Sequence, residues 1–191
     1  VVKHFPGHGD TSQDSHFHLP KISTPLETIL EREVKPFTRA FKSHCELVMS
    51  AHIIVESVDP KLPATLSSKV LQGILREKLR FRGLIFSDDM EMKAIADHFG
   101  KVDAPLQALE AGVNILLYHT EPAQTEAFEG MLSKLTSPAG SAALKALQDS
   151  VVRIKDFKKR HFLPHNQVNI PDLASIVGSA ENAALLKKIT T

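Results

Sequence analysis

The run Gly83-Leu84-Ile85-Phe86-Ser87-Asp88-Asp89 sets three apolar residues behind a glycine and closes them with a serine and two acids. A strand that buries one face alternates apolar and polar residues. A short run that is apolar throughout is buried on both faces, as in a parallel sheet covered by helices. Leu84 to Phe86 therefore reads as one strand of such a sheet. The acids fall at its carboxyl end, where parallel α/β proteins collect their chemistry.

Toward the carboxyl terminus the pattern continues with a helix over Met90–Phe99 stopped by Gly100, and another over Ala104–Ala111 before Gly112. A strand at Asn114–Tyr118 and a helix at Glu121–Leu135 follow. Ser141–Arg160 reads as a long amphipathic helix with Leu144, Leu147, Val151, Ile154 and Phe157 on one face. Past His161 comes a linker bearing proline and asparagine, then a terminal helix near Ala180–Ile189. His165 reads as a tail residue, and Lys158-Lys159-Arg160 as a solvated helix end that suits the helix dipole.

Toward the amino terminus, Ser67 or Ser68 caps a helix whose Val70, Leu71, Ile74 and Leu75 recur at helical spacing, and Asp59-Pro60 with Pro63 marks the loop before it. Glu46–Ala51 is a strand that ends at His52. Thr24-Pro25-Leu26-Glu27 offers an N-cap, a first-turn proline and a capping-box glutamate. The helix it starts buries Leu26, Ile29, Leu30 and Val34, is kinked or restarted by Pro36, and continues through Phe37 and Phe41 to about Lys42. Val1 and Val2 are the tail of a first strand, which Pro6, Gly7 and Gly9 convert into a loop.

Strand then helix, four times over, with strands short and uniformly apolar, is parallel α/β. Polar residues gather at the strands' carboxyl ends: Lys3 and His4, Ser50 and His52, Asp88 and Asp89, Tyr118 and His119. A (β/α)8 barrel builds its site from that rim, and four units are half of one. A doubly wound open sheet competes, without a glycine-rich phosphate loop to support it.

The 191 residues are 42% hydrophobic with a formal net charge of +1, which fits one domain with a sizeable core and gives no bulk charge for nucleic acid or a membrane surface. The single Cys45 excludes an intrachain disulfide and fits a reducing compartment. No apolar run reaches membrane-spanning length and no signal peptide is visible. A chain opening on Val-Val-Lys-His inside a strand reads as part of something longer.

Three constellations offer chemistry. Asp14 and His16 are two apart, so an extended backbone turns both to one side, where the carboxylate raises the imidazole's pKa and fixes its tautomer for proton transfer. A solvated polar loop would carry the same spacing. Asp88, aimed from a buried strand end, can serve as a nucleophile toward an electrophilic carbon, while Asp89 beside it turns away to cap the next helix. His4, His8, His16 and His18 with Asp10 and Asp14 supply metal-ligand atoms, but no organising spacing such as H-E-x-x-H.

The motifs K-H-F-P-G-H-G at Lys3–Gly9, D-S-H at Asp14–His16 and S-D-D-M at Ser87–Met90, with M-S-A-H at Met49–His52 and A-G-V-N-I-L-L at Ala111–Leu117, resemble the bacterial β-N-acetylglucosaminidases of glycoside hydrolase family 3. The resemblance covers roughly residues 1 to 160, leaving 161 to 191 as linker and terminal helix. It implies the carboxyl-terminal half of a (β/α)8 barrel and a retaining mechanism through a covalent glycosyl-aspartate, with no cofactor. The matching nucleophile is Asp88, the acid/base is His16 partnered by Asp14, and Lys3 and His4 match positions that bind sugar hydroxyls.

The substrate implied is terminal β-linked N-acetylglucosamine, as in the peptidoglycan-recycling disaccharide of the bacterial cytoplasm that carries anhydro-N-acetylmuramic acid. Family β-glucosidases, the nearest rival, generally lack the D-S-H loop. The barrel's first four strands have no counterpart here, so the resemblance also implies a need for that missing half or for a second copy, or else an inactive remnant. A non-catalytic sugar-binding protein and a metal-dependent hydrolase are the readings from other classes.

Overall fold

A computed structural model describes residues 1–9, 11, 19–137, 141–162, 173 and 177–189. They group into two compact units, Val1–Lys155 and Asp156–Thr191.

In the first unit, strands β1 (Val2–Phe5), β3 (Leu47–Ser50), β5 (Leu84–Asp89) and β6 (Ile115–Leu117) form one parallel sheet in the order β1-β3-β5-β6. The two-residue strands β2 (Lys21–Ile22) and β4 (Ile54–Val55) pair separately, also in parallel. Each new strand of the main sheet joins the same edge, so the order never reverses. A doubly wound sheet needs a reversal; a barrel winds in one direction, and four strands supply half of one.

The glycine ahead of β5 is required by contact. A Cβ on Gly83 would lie 1.9 Å from the Glu46 carbonyl oxygen, which accepts the Leu84 N–H at 2.8 Å to start the β3–β5 ladder. Within that ladder Val48 pairs with Ile85, both fully buried in the core that contains Val70, Leu71, Ile74 and Leu75. Strand periodicity turns Leu47, Met49 and Phe86 to the opposite face, where they are half-buried.

Helices cover the core face. α1 (Leu26–Glu31) and α2 (Lys35–Lys42) are separate, with Pro36 in the first turn of α2, so the expected kink is a full restart. Ile29 and Val34 are buried as the apolar stripe requires, and Phe37 meets Phe5 of β1 edge-on at 5.3 Å. Thr24 is not the N-cap: Pro25 holds that place with no side-chain cap bond, and the Thr24 carbonyl accepts from the Ser57 hydroxyl. Between β3 and β5 the chain forms a helix over Lys69–Lys78 with π-type winding, closed by the Leu79 N–H on the Ile74 carbonyl at 2.9 Å. The Ser67 hydroxyl accepts the Val70 N–H at its start.

α3 (Lys93–Phe99) and α4 (Asp103–Ala111) link β5 to β6, and α5 (Glu121–Leu135) follows β6. The expected helix at Met90 begins later because the Asp89 carboxylate holds the Glu91 N–H in a turn. α6 (Ser141–Phe162) packs differently from its apolar spacing: Ala143 and Ser150 are buried while Leu144 and Val151 stand exposed. The Ser150 hydroxyl accepts from the Asn114 side chain, and that bond sets the helix's rotation. In the second unit, Phe157 stacks on His161 at 4.4 Å, Arg160 pairs with Asp156, and α7 (Ala180–Ile189) exposes Leu185, Leu186 and Ile189.

Candidate active site

Two strands run further than their apolar residues suggest, and both extensions carry site residues. β1 includes Lys3 and His4 because Phe5 beyond them is fully buried and its carbonyl accepts the Ala51 N–H at 2.8 Å. β5 includes Ser87, Asp88 and Asp89 because the Ser87 hydroxyl accepts the Leu117 N–H and the Met90 N–H reaches the Leu117 carbonyl. With Ile85 and Ser87 buried toward the helices, Phe86 and Asp88 face the other way. His4 does the same beside buried Phe5.

The result is a carboxylate and an imidazole at one rim. Asp88 Oδ2 lies 3.9 Å from His4 Nε2, with the two side chains 14% and 30% exposed, and Asp88 Oδ1 accepts the Asp89 N–H at 2.9 Å. Lys3, exposed, lines with His4, Gly7 and His8 a cleft of about 580 Å³ floored by Pro36 and Phe37. Gly7 lets the chain leave β1 past the turn between α1 and α2: its φ is +134° and a Cβ there would meet Glu33 Cβ at 2.6 Å. Asp14 and His16, the expected acid/base pair, lie outside the described residues, as do Asp10 and His18.

His52 sits fully buried under this rim. Its Nε2 donates to the Asp89 carbonyl at 2.9 Å, and its Nδ1 lies 2.9 Å from Thr65 Oγ1. A carbonyl can only accept, so Nε2 carries the proton. Burial drives the ring's pKa down from 6.5 to about 4, against opposing pulls from Asp88 and Asp89, so the imidazole is neutral and Nδ1 is an acceptor. The Thr65 proton is then shared between Nδ1 and the Ala51 carbonyl, and the Ser50 proton between Thr65 Oγ1 at 2.8 Å and the Phe86 carbonyl at 3.2 Å. A directed chain from Ser50 through Thr65 and His52 thus ends on the Asp89–Met90 peptide, next after the one that joins Asp88 to Asp89.

Asp89 turns from Asp88 as expected, though toward His119 rather than onto the next helix. Its Oδ2 meets His119 Nδ1 at 2.6 Å. Glu91 completes the group: Oε1 accepts the His119 and Thr120 N–H groups at 2.9 and 2.7 Å, and Oε2 accepts the Thr120 hydroxyl at 2.7 Å. These side chains bring three potential metal-ligand atoms within 4.8 Å of one another. Glu91 Oε1 already receives two N–H donors and Oε2 a hydroxyl, so its carboxylate pins the turn that leads from β6 into α5. Tyr118, beside them, has its hydroxyl buried without a hydrogen-bond partner among the described residues, and burial with the nearby Glu91 and Asp89 charges pushes its pKa up to about 12.

Of the residues expected at one rim, His4, Ser50, His52, Asp88, Asp89, Tyr118 and His119 lie at or just beyond the carboxyl ends of their strands, and Lys3 lies inside β1. Sequence reading missed Thr65 and Glu91, whose partners are 13 and 28 residues away in the chain. No local spacing marks either one.

The model of the glycosyl hydrolase family 3 N terminal domain matches residues 1–157. A β-hexosaminidase of Methylococcus capsulatus is 37% identical over 148 residues, 77% of this chain and 44% of that protein. β-Hexosaminidase A of Pseudoalteromonas piscicida is 30% identical, over 97% of this chain and 33% of its own length. The solved glycoside hydrolase family 3 β-N-acetylglucosaminidase from Paenibacillus sp. str. FPU-7 superimposes with a TM-score of 0.86 at 35% identity, covering 98% of this chain and 36% of that one. The chain therefore spans less than half the length of these relatives. With a family model matched over most of its residues and the parallel sheet of that domain's fold, the chain belongs to glycosyl hydrolase family 3.

Proposed function

We propose that this chain carries the nucleophile-bearing part of a retaining exo-glycosidase that releases terminal β-linked N-acetylglucosamine. Asp88 attacks the anomeric carbon as the bond to the aglycone breaks, and His16, partnered by Asp14, gives its proton to the departing oxygen. Water then yields a proton to His16 and attacks the same carbon, freeing the sugar and restoring the Asp88 carboxylate. A histidine serves both transfers because its pKa lies near the working pH, in place of the second carboxylate that most glycosidases use. Lys3 and His4 bind sugar hydroxyls.

The observation that carries this reading is Asp88 itself, largely buried at a rigid strand end, facing the open side of the sheet beside His4. The names of the relatives, β-hexosaminidase and β-N-acetylglucosaminidase, support the sugar. Peptidoglycan-derived disaccharides in the bacterial cytoplasm belong to the same reading. Among the described residues no helix is long and apolar enough to cross a membrane.

A complete rim requires more strands. β1 and β6 are the edges of the main sheet, each paired on one side only, and Leu47, Met49 and Phe86 are half-covered on the face opposite the helices. We infer that activity needs a further half-barrel, supplied by additional chain or by a second copy.

The test is intact mass after exposure to a fluorinated N-acetylglucosaminide that leaves the enzyme slowly, with this chain alone and joined to an amino-terminal half-barrel. A mass gain mapping to Asp88 in the joined form supports the reading, and a gain with the chain alone assigns the second half to self-association. No adduct in a folded, joined protein would overturn it in favour of sugar binding without turnover.

A further inference from the structure

Away from Asp88, the helix over Lys69–Lys78, the end of α4, Asn114 ahead of β6 and α6 surround a cavity of about 300 Å³. Arg76 in its lining bonds the Gly83 carbonyl, which places the cavity near the amino end of β5, opposite the end that carries Asp88. Its floor is a buried cation. Arg76, from the helix over Lys69–Lys78, is 7% exposed.

The acceptors Arg76 has among the described residues are neutral. Nη1 donates to the Phe81 and Gly83 carbonyls at 3.1 and 2.6 Å, and Nη2 to Asn114 Oδ1 at 3.0 Å. Asn114 in turn donates to the Ser150 hydroxyl at 3.0 Å, so the floor is a built polar surface on three elements. A guanidinium carries five N–H donors. Three are used, and two, including that on Nε, have no acceptor among the described residues.

The guanidinium carbon lies 5.3 Å from the centre of the Phe81 ring, and no carboxylate pairs with it among the described residues. Arg153, exposed on α6, lines the cavity and forms no ion pair among the described residues. Burial, Arg153 and then Arg82 bring Arg76 down to about 10, so both neighbouring cations disfavour its charge. The acids nearby are Glu110 in the wall and Asp149, which Lys145 already holds at 3.1 Å. Buried cations ordinarily have a counter-charge, and the arginine fork matches the geometry of an oxyanion.

We propose that this cavity binds a small oxyanion, a phosphate or carboxylate group, between Arg76 and Arg153. The site is separate from the carboxyl-end rim and independent of the glycosidase reading.

Calorimetric titration of the full chain with inorganic phosphate, and separately with acetate, at ionic strength fixed with chloride, tests it. Saturable binding of either anion is expected, and the stronger of the two names the ligand chemistry. Arg153→Gln leaves the buried floor intact and should weaken that binding about tenfold or more, the usual loss for one charge-assisted bond. Glu110→Gln removes a repelling carboxylate and should tighten it, an effect in the opposite direction that a general loss of stability would not produce. Absence of saturable heat with both anions, or affinities unmoved by both substitutions, would overturn the proposal.

Discussion

Acidification should loosen the fold through His52. The ring is fully buried and its pKa falls from 6.5 to about 4 on folding, chiefly because burial penalises the charged form. Above pH 6.5 the ring is neutral in both folded and unfolded chains and has no pH-dependent effect. As pH falls below 6.5 the unfolded chain takes up a proton that the folded one refuses, so stability drops until the folded ring also protonates near pH 4. The fall from 6.5 to about 4, at about 1.36 kcal/mol for each tenfold in proton affinity, makes the loss about 3 kcal/mol.

Carboxylates titrate in the same window, so the assay compares wild type with His52→Gln, which offers a donor toward the Asp89 carbonyl without titrating. Urea unfolding of both proteins at half-unit steps from pH 7.5 to 4, roughly spanning the range set by these pKa values, yields a difference curve in which the common groups cancel. Wild type should lose about 3 kcal/mol relative to the variant across that window. A flat difference curve would mean that the ring is accessible to protons, and the directed chain from Ser50 to the Asp89 carbonyl would be wrong.

Thr65→Val keeps the shape but strips the donor from His52 Nδ1 and the acceptor from Ser50, which at a fully buried site should cost about 1–3 kcal/mol in chemical unfolding. Gly83→Ala drives a methyl into the Glu46 carbonyl and should destabilise by about 3 kcal/mol in the same assay, where a neutral result would contradict the close β3–β5 approach. In a protein active on N-acetylglucosaminides, His16→Ala should slow substrates with poor leaving groups far more than activated aryl ones; equal losses in kcat/KM would remove it from the acid role.

Much of the fold was legible because its signals are local. Leu84–Phe86 is apolar at every position, and Val70, Leu71, Ile74 and Leu75 fall on one helical stripe, so each element could be read within a few residues of itself. The sequence misled where a single polar bond overrode the local pattern. Asn114 turns α6 by taking the Ser150 hydroxyl, which exposes Leu144 and Val151 that spacing alone would bury. The Asp89 carboxylate delays the helix after β5 by holding Glu91. In both cases a polar side chain with one strong partner outweighed the preference of several apolar ones.

The candidate site divides along the same line. Asp88, His4 and Lys3 were legible because strand ends in a parallel sheet converge on one rim, a consequence of topology that needs no contact to be known. What holds Asp88 in aim was not. Among the described residues its carboxylate accepts the next backbone N–H, and the Asp89–Met90 peptide just beyond is held by His52, which in turn depends on Thr65 from the turn Ala64–Leu66 and on Ser50 from β3. Residues that need touch no substrate therefore hold the backbone one residue past the carboxylate. Because that support is buried and neutral, it holds its geometry as the rim charges change, and it fails only when acid reaches the His52 ring.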